Sequence, residues 1–377
     1  MTKILNHINT YAGLTAYNND TNKDYPNVSY IVEDDIVLFD KINYAQEYFA
    51  IESLEDNNTI MFKLFSESGT PSSSSAKTIS VSTDGGKTWT GYTSTTGGAT
   101  IATLNMREKV LIKGNNSAYA DSYSYNYFYT TRQFDVSGNI MSLIYGDNFK
   151  EKYSLPYGGY NLQKLFYQNT RLVNAENLVL PAKKLTTDCY FSMFSGCTSL
   201  KTAPKLPATT LAEGCYSYMF KNTNVLPDTS NIDFTSQTVL ASGGLIGLFG
   251  GTKVTDADLM RILPKNSNNK YCLPATTLAS YCYSYMFVGC KNLTTAPELP
   301  ATTLVKNCYQ YMFNGCTNLK YIKAMFTTKP SGLSPNYYTQ NWVSGVASSG
   351  TFVKNSAATW NVTGVDGVPT GWTVVTE

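Results

Sequence analysis

The sequence LPATTLVKNCYQYMFNGC at positions 299–316 decides the fold, because the chain repeats it. Three near-copies begin at Leu180, Leu206 and Leu273. Cys282 of the third near-copy and Cys308 of the quoted stretch are 26 residues apart. A fixed internal period of this length is typical of proteins built from stacked repeats, in which one unit cannot bury its apolar face alone. The sequence therefore predicts a repeat architecture.

The spacing of apolar residues within one unit predicts its local structure. Cys308, Met312 and Cys316 recur at i, i+4 and i+8, which places them on one side of a short helix. Gly315 stands where such a helix would end, since glycine adopts the left-handed cap conformation without a Cβ clash. Pro300 disfavours a helix upstream. Each unit is therefore predicted to be a short extended segment, a turn and a short helix.

A two-residue apolar phrase marks the same position in each unit and gives the number of units. Its copies are 26 to 38 residues apart. The fourth copy is degenerate and is followed by a longer excursion through 256–261. Six units are predicted, at Leu165-Phe166, Met193-Phe194, Met219-Phe220, Leu248-Phe249, Met286-Phe287 and Met312-Phe313.

Three units also carry a phrase with glycine, cysteine and leucine at fixed positions, at 195–200, 288–293 and 314–319. Preceded by an aromatic residue, this phrase resembles the BspA-like leucine-rich repeats of bacterial surface antigens. The resemblance covers residues 155–326 and implies a leucine-rich-repeat solenoid, which we place at 151–330. The chain departs from the family pattern at a second proline in A-P-x-L-P, which removes a backbone donor and indicates a bulged or shortened strand.

Composition narrows the classes of function. The 377 residues carry a formal net charge of +2 and only 15% charged side chains, so nothing favours nucleic acid or an anionic membrane as a partner. No apolar run approaches the length of a membrane span. A single histidine, His7, argues against imidazole catalysis and histidine-bound metal, and no catalytic motif is present. Asp256 and Asp258 are two residues apart and could share a strand face as a glycosidase pair, but we expect them to begin a helix, where carboxylates complement the dipole. We therefore expect a protein that is not an enzyme and holds no cofactor or metal.

All eight cysteines lie in the repeat half, and seven of them occupy two repeat positions. Stacking would bring equivalent cysteines close together, so disulfides between units are one interpretation. Buried free thiols are the other, because cysteine packs like a small apolar residue and the N-terminus lacks the apolar stretch of a secretion signal. Thr223 replaces the second cysteine of one unit, which a strict disulfide ladder would not tolerate. We expect buried thiols.

Residues 41–150 carry strand and hairpin signals instead. Short runs rich in β-branched and aromatic residues alternate with turn clusters at the spacing of a sandwich. Two such runs, 48–54 and 59–65, flank a polar turn and are predicted to form a hairpin. A second hairpin is predicted around Asp84-Gly85-Gly86. This turn, at 82–89, resembles the Asp-box of sialidase-like propellers, of which a single copy indicates only a hairpin. We predict one immunoglobulin-like β-sandwich.

Four tyrosines within this region are the candidate interaction surface. Tyr123, Tyr125, Tyr127 and Tyr129 alternate with other residues, and a period of two places them on one face of a strand. One interpretation is an aromatic platform for sugar rings or a protein partner, because tyrosine offers a large contact area at a low entropic cost. The other, which we favour, is a half-buried face packed against the first repeat or a neighbouring subunit.

The two ends of the chain are assigned to attachment and capping. Residues 1–40 are predicted to be a tether, and the segment 25–39 looks like N-terminal segments of virion proteins from crAss-like and related tailed phages of gut bacteria. The resemblance implies a virion anchor, for which Tyr25, Tyr30 and Phe39 are the candidate residues. Residues 331–377 carry short aromatic strands, and we predict that they cap the open end of the solenoid.

The predicted fold class is a multidomain chain, mainly β with short helices: tether, immunoglobulin-like sandwich, BspA-like solenoid and small β-rich cap. The leading hypothesis is a non-enzymatic virion appendage of a tailed phage, a head fibre or tail-associated adhesin assembled in the host cytoplasm. Its partners would be other virion proteins, through the N-terminal segment, and a glycan or protein of the host surface. By analogy with phage fibres it would be a homo-oligomer, with a trimer favoured. The alternatives are a bacterial cell-surface BspA-like adhesin and a carbohydrate-active enzyme.

Overall fold

The computed structural model describes residues 43–67, 75–223 and 242–377, apart from 264, 267–268 and 274, and the backbone alone of 29–32, 35–38 and 261–262. The chain divides into two compact units, Met1–Tyr44 and Ala45–Glu377. In the first unit, β1 (Ser29–Val32) and β2 (Asp35–Leu38) pair antiparallel. The expectation of a mainly β chain with few short helices is confirmed.

The remaining strands and helices follow in chain order. The described helices are short, namely α1 (Ser142–Tyr145), α2 (Asp256–Ile262) and single 3-10 turns at Tyr44–Gln46 and Gly146–Asn148. The strands are β3 (Phe49–Ser53), β4 (Asn58–Ser66), β5 (Thr78–Ser82), β6 (Thr90–Thr93), β7 (Ala99–Leu104), β8 (Lys109–Gly114), β9 (Ser124–Thr130), β10 (Phe134–Asn139), β11 (Leu172–Val179), β12 (Tyr321–Ala324), β13 (Thr351–Lys354) and β14 (Thr373–Thr376).

Two sheets face each other in the first part of the second unit. One has the strand order β11-β10-β3-β8-β5-β6, and the other has the order β7-β4-β9. Their inner faces meet at the rings of Phe49 on β3 and Phe128 on β9, whose centroids are 5.5 Å apart. The predicted hairpin of β3 with β4 is therefore wrong, because the two strands lie in opposite sheets. The turn between them carries the chain across the core, so that Ile51 and Phe62 are both fully buried.

The second predicted hairpin is confirmed, since β5 pairs antiparallel with β6. Asp84 holds the turn by accepting hydrogen bonds from the Ser82 hydroxyl (2.7 Å), the Thr88 hydroxyl (2.7 Å) and the Thr88 N–H (3.0 Å). These donors, Thr88 first, hold the pKa of the Asp84 carboxyl well below its ordinary range. The carboxyl group of the Asp-box therefore stabilises its own turn.

The first sheet continues past position 150 into the repeats. Strand β11 pairs parallel with β10, and the Phe128 N–H donates to the Leu165 carbonyl at 3.0 Å. The Phe166 ring lies 6.0 Å from Phe49 and 5.5 Å from Phe194 of the next repeat. The apolar core is therefore continuous from the sheets into the repeats.

The repeat units are not helical. Each unit makes overlapping β-turns, in which a residue with positive φ recurs at every fourth position. In the stretch at 299–316 these residues are Asn307, Tyr311 and Gly315, with φ of 56°, 54° and 74°. An α-helix needs negative φ throughout, so the predicted helix in each unit is wrong. A period of four residues also places Cys308 and Met312 on one side, which is why the apolar pattern resembled that of a helix.

We call each of these stretches a turn coil, and consecutive turn coils are joined through the main chain. Alternate N–H groups bond within a coil, as Met193 does to the Tyr190 carbonyl at 3.1 Å. The N–H groups between them donate to carbonyl groups of the following coil, as the Phe194 N–H does to the Met219 carbonyl at 3.0 Å. Backbone donors are thus satisfied without helix or strand. The turn coils are centred on Lys164, Ser192, Tyr218, Gly247, Tyr285, Tyr311 and Asn341.

The seventh turn coil follows the six units that the sequence predicts. It is centred on Asn341 and lies within 331–377, the segment assigned to a cap. The Phe313 N–H donates to the Trp342 carbonyl at 2.8 Å, as Phe287 does to the Met312 carbonyl at 3.0 Å. Trp342 therefore has the place of Met312 in the preceding coil. The predicted number of units was too low because this coil has neither the cysteines nor the Met-Phe phrase.

Cysteines serve the coils as buried thiols. All eight are free, and all but Cys272 are buried, which confirms the expectation. The second cysteine of a unit donates its thiol hydrogen to the preceding coil, as Cys316 does to the Phe287 carbonyl at 3.0 Å. Thr223, which replaces this cysteine in one unit, donates its hydroxyl to the Phe220 carbonyl at 2.9 Å. The position therefore needs a small donor and not a disulfide partner.

The last part of the chain also contains parallel strand pairs. Strands β12, β13 and β14 form a parallel sheet in which Tyr321, Thr351 and Thr373 lie side by side. Lys323 on β12 is buried and makes ion pairs with Glu377 at 2.9 Å and Glu298 at 3.5 Å. Of the three strand segments expected in the tail, β13 and β14 are confirmed, whereas the third, at 360–362, is not a strand.

Candidate binding surface

Three of the four candidate tyrosines share one face of β9, as predicted. Tyr125, Tyr127 and Tyr129 alternate with residues that face the core, of which Phe128 is fully buried. Tyr123 precedes the strand and is 71% exposed. Tyr125 is buried, whereas Tyr127 and Tyr129 are half-buried. The structure therefore brings three of the tyrosines together and leaves Tyr123 at the end of the row.

Strand β4 adds an aromatic ring and a cation to the same face. In the antiparallel register, Phe65 lies opposite Tyr125 and Lys63 lies opposite Tyr127. The Phe65 and Tyr125 rings stack with centroids 4.9 Å apart, and 42% of Phe65 remains exposed. Cross-strand aromatic pairs of this kind stabilise a sheet through packing. Phe65 and Lys63 were not predicted for the site, although their alternation along β4 could have indicated it.

The first turn coil covers the Tyr125 end of the tyrosine row. The Tyr167 ring is 5.9 Å from the Tyr125 ring, edge to face, and Lys164 Nζ lies 4.6 Å from the Tyr125 centroid. This contact agrees with the interpretation of a face packed against the first repeat, as far as Tyr125 is concerned. Tyr127 and Tyr129 remain half-exposed beyond it. We call the whole surface the tyrosine face, made of Lys63, Phe65, Tyr125, Tyr127, Tyr129, Lys164, Tyr167 and Arg171.

Burial raises the pKa of two tyrosines of this face and lowers the pKa of one of its lysines. The pKa values of Tyr125 and Tyr127 are raised, first of all by burial, and neighbouring tyrosines add to the effect. Burial lowers the pKa of Lys164, and the charge of Glu67 opposes this change. At neutral pH the face therefore offers hydroxyl donors and cations.

A second set of aromatic rings lies on the turn coils, where Tyr218, Tyr285 and Tyr311 occupy the central left-handed position. Tyr285 and Tyr311 stack with centroids 4.8 Å apart and an interplanar angle of 15°. Gly247 occupies the same position in the coil between those of Tyr218 and Tyr285. A Cβ atom at this position would lie 2.3 Å from the Tyr218 ring, so glycine leaves room for that ring. Because Tyr285 and Tyr311 cover one face of each other, these rings stabilise the stack of coils.

The carboxylates considered for glycosidase chemistry have structural partners. Asp258 forms a capping box with Thr255 at the start of α2. Asp256 accepts hydrogen bonds from the Thr294 N–H (2.9 Å) and the Thr295 N–H (3.1 Å). The prediction that this pair begins a helix is confirmed. Within the described parts of the chain, no group of three or more histidine, cysteine or acidic side chains could hold a metal ion.

A charged cluster beside the second hairpin is satisfied internally. Lys113 Nζ lies 4.1 Å from the Trp89 centroid and 2.7 Å from Asp147 Oδ1. The Tyr48 hydroxyl donates to the same oxygen at 2.6 Å, and burial together with this bond raises the pKa of Tyr48 to about 12. Hydrogen bonds from Lys113 and Tyr48 lower the pKa of Asp147. Because each charge has its partner, the cluster is a weaker candidate than the tyrosine face.

The candidate anchor residues fall largely outside the described residues. Tyr25 and Phe39 are not among them, and Tyr30 lies in β1, of which only the backbone is described.

Comparison with known proteins gives no relative, since no protein family, curated protein or solved structure matches the chain. None of the helices in the described ranges is long and apolar enough to cross a membrane. The function is therefore inferred from the surface itself.

Proposed function

We propose that the chain is a non-enzymatic adhesive appendage of a tailed-phage virion. An immunoglobulin-like β-sandwich and a BspA-like leucine-rich-repeat solenoid would together present the tyrosine face to a glycan of the host surface. The observation that carries the proposal is the convergence of β4, β9 and the first turn coil on this one surface. Aromatic rings held by strands from one part of the chain and by a coil from another form a rigid contact area, as binding surfaces do.

The carboxylates that could have served a glycosidase are held by hydrogen bonds within the fold, which favours binding over catalysis. Asp84 accepts hydrogen bonds from its own turn, and Asp256 and Asp258 hold the start of α2 and the chain near Thr294. A catalytic carboxylate must be able to reach a substrate, and these groups are already committed to the fold. A binding protein needs only the surface.

Attachment to the virion is proposed for the N-terminal segment. Residues 25–39 carry the resemblance to phage virion proteins, and Met1–Tyr44 separates from the remainder as a compact unit. We assign docking onto other virion proteins to Tyr25, Tyr30 and Phe39. A homo-trimer, as in phage fibres, would present three tyrosine faces at once and increase avidity.

Binding by the tyrosine face is tested with two matched double variants of the full chain. Tyr127→Ala with Tyr129→Ala removes the half-exposed rings, and we expect at least about ten-fold weaker binding to a polysaccharide array and to fixed gut bacteria. Tyr153→Ala with Tyr157→Ala removes two tyrosines that are 55% and 101% exposed elsewhere, and should leave binding unchanged. Equal binding by both variants, with unchanged melting temperatures, would assign adhesion to another surface.

Attachment is tested separately by incorporation into particles. A chain beginning at Lys41 should melt like the full chain, because the second compact unit starts at Ala45. It should be missing from purified virions that incorporate the tagged full chain. Normal incorporation would refute the anchoring role. Recovery of the full chain in the bacterial envelope would instead favour the cell-surface adhesin.

A further inference from the structure

Three cations lie against the rings of the tyrosine face. Lys164 Nζ is 4.6 Å from the Tyr125 centroid, at one end of the row. Lys63 Nζ and Arg171 Cζ are 5.1 Å and 5.6 Å from the Tyr129 centroid, at the other end. Tyr125 and Tyr129 are four residues apart on β9, a distance of about 13 Å along an extended strand. The face therefore has a cationic centre at each end and rings between them.

These cations are not neutralised by the fold. None of the three makes an ion pair with a carboxylate of the residues that the structure describes. Glu67 acts on Lys164 only through its electrostatic field. Elsewhere the chain pairs its partly buried lysines, as Lys323 with Glu298 and Glu377. Three cations without a paired carboxylate on one aromatic face are therefore available to an anionic ligand.

The chemistry of the two ends determines how such a ligand would be held. Arg171 Nη1 is 3.5 Å from the Tyr129 hydroxyl, which orients the guanidinium beside the ring. A guanidinium offers parallel N–H donors that match a carboxylate, and Lys63 adds a point charge beside the same Tyr129 ring. Tyr127, between the two centres, presents a half-exposed ring on which the apolar side of a sugar can pack.

We propose that the tyrosine face binds an acidic polysaccharide, with one carboxylate at Lys63 and Arg171 and a second near Lys164. This inference rests on the proposed adhesive function and adds the charge of the ligand. The low net charge of the whole chain, +2, favours a local carboxylate site over the extended basic surface that a nucleic acid requires. Sugar rings between the charged groups of the polymer would pack on Tyr127.

The test uses the full chain and labelled polygalacturonate as the probe. Polysialic acid is the second carboxylated polymer, and carboxyl-reduced polygalacturonate is the neutral comparator. Lys63→Gln with Arg171→Gln removes one cationic centre. Lys205→Gln with Lys320→Gln is the matched control, because it removes the same charge from two exposed lysines outside the face. Dissociation constants are measured at 0.15 M salt, together with a melt of each variant.

We expect the first double variant to bind polygalacturonate at least about ten-fold more weakly, as the loss of a charge-assisted hydrogen bond implies. The control should bind like the parent chain, and the carboxyl-reduced polymer should bind at least about ten-fold more weakly than the acidic one. Equal affinity for both polymers, an equal loss in the control, or no binding to either carboxylated polymer would overturn the proposal. Binding of a duplex DNA as tightly as polygalacturonate would overturn it too, because the face would then attract any polyanion without specificity.

The two proposals fail in different ways. If Tyr127→Ala with Tyr129→Ala abolishes binding to a neutral polysaccharide while the cation variant changes nothing, the adhesive function stands and the acidic ligand is wrong. If the tyrosine variant binds every polysaccharide like the parent chain, the adhesive function of this face is wrong as well.

Discussion

In the two sheets, strands such as β4 and β8 bury every second side chain, whereas a turn coil buries side chains in adjacent pairs that recur with a period of four. Along β4 the buried residues include Ile60, Phe62 and Leu64, with partly exposed residues between them. In the coil centred on Tyr285 the buried pair Met286 and Phe287 follows directly. A coil can therefore bury more of its residues than a strand with one wet face.

The difference has a backbone cost that only stacking offsets. A non-glycine residue in the left-handed region costs about 1–2 kcal/mol, and most coils hold two or three such residues. Inter-coil hydrogen bonds and ring stacks, such as Phe287 on Phe313 at 5.7 Å, provide the stabilisation. The sheets require no such compensation within their strands. A single coil should therefore be unstable alone, as expected of a repeat unit.

Alkaline pH should have the largest effect, and its contribution from thiols acts on the coils, because residues 43–150 contain no cysteine. Burial raises the pKa of the Cys215 and Cys290 thiols from 9.0 to about 12. Stability is therefore complete below about pH 9 and declines toward pH 12, because the unfolded chain releases protons that the folded chain retains. Each such thiol lowers the free energy of unfolding by about 1.4 kcal/mol at pH 10.

Guanidinium titrations at pH 8 and pH 10, with reductant present, measure this decline. Cys215→Ala should reduce the loss of unfolding free energy between the two pH values by the contribution of one buried thiol. Cys272→Ala should reduce this loss by less, since Cys272 is only partly buried. Eight thiols should react with Ellman's reagent once the unreduced chain is denatured. A stability that is equal at both pH values would mean that the thiols are not buried in the coils, and two or fewer reactive thiols would mean that disulfides join the coils.

Met312→Asp should strongly destabilise the coils. The side chain is fully buried, and an unpaired carboxylate there should lower the free energy of unfolding by roughly 4 kcal/mol. Met106→Asp, at a 54% exposed position beside the sheets, is the matched control and should change it by less than about 0.5 kcal/mol. Thermal and urea melts compare the two, and equal melting temperatures would remove Met312 from the core.

Trp342→Ala tests whether the seventh coil belongs to the stack. Trp342 is fully buried and donates its indole N–H to the Gly367 carbonyl at 2.9 Å. Its loss should lower the free energy of unfolding by about 3–5 kcal/mol. Trp89→Ala, in the partly exposed hairpin turn of the sheet region, should have a smaller effect. If urea melts showed a larger destabilisation by Trp89→Ala than by Trp342→Ala, residues 331–345 would not be a seventh coil of the stack.

The strands were accessible to sequence analysis, and the coils were not, for a physical reason. Alternation over five or more residues identifies a strand such as β4, and Asp84-Gly85-Gly86 specifies the turn between β5 and β6. Over the nine residues from Cys308 to Cys316, a period of four cannot be distinguished from 3.6. Tyrosine at positive φ, as in Tyr285, also runs against local preference, and only the neighbouring coils impose it.

The tyrosine face could be predicted only in part for a related reason. Tyr125, Tyr127 and Tyr129 are placed together by the period of a single strand. Lys164 and Arg171 reach them because the first coil packs against β9, where the Phe128 N–H bonds to the Leu165 carbonyl. That contact joins residues far apart in the chain, and no local pattern contains it. The cations of the site were therefore missed, while its rings were found.

The smallest expected effect is that of a serine-to-glycine substitution on the free energy of unfolding. The sign of this change differs between a turn coil and a helix. Ser192 has φ of 53°, and glycine adopts this conformation without a Cβ penalty, so Ser192→Gly should raise the free energy of unfolding by about 0.5–1 kcal/mol. Ser195 is buried to the same degree, 6% exposed against 5%, but is not left-handed. Ser195→Gly should therefore lower stability by a similar amount, since the unfolded chain gains freedom. In a helix both substitutions would destabilise, because glycine is a poor helix former at either position. Urea titrations with a shared slope resolve the difference, and destabilisation by both variants would restore the helical interpretation of the repeat.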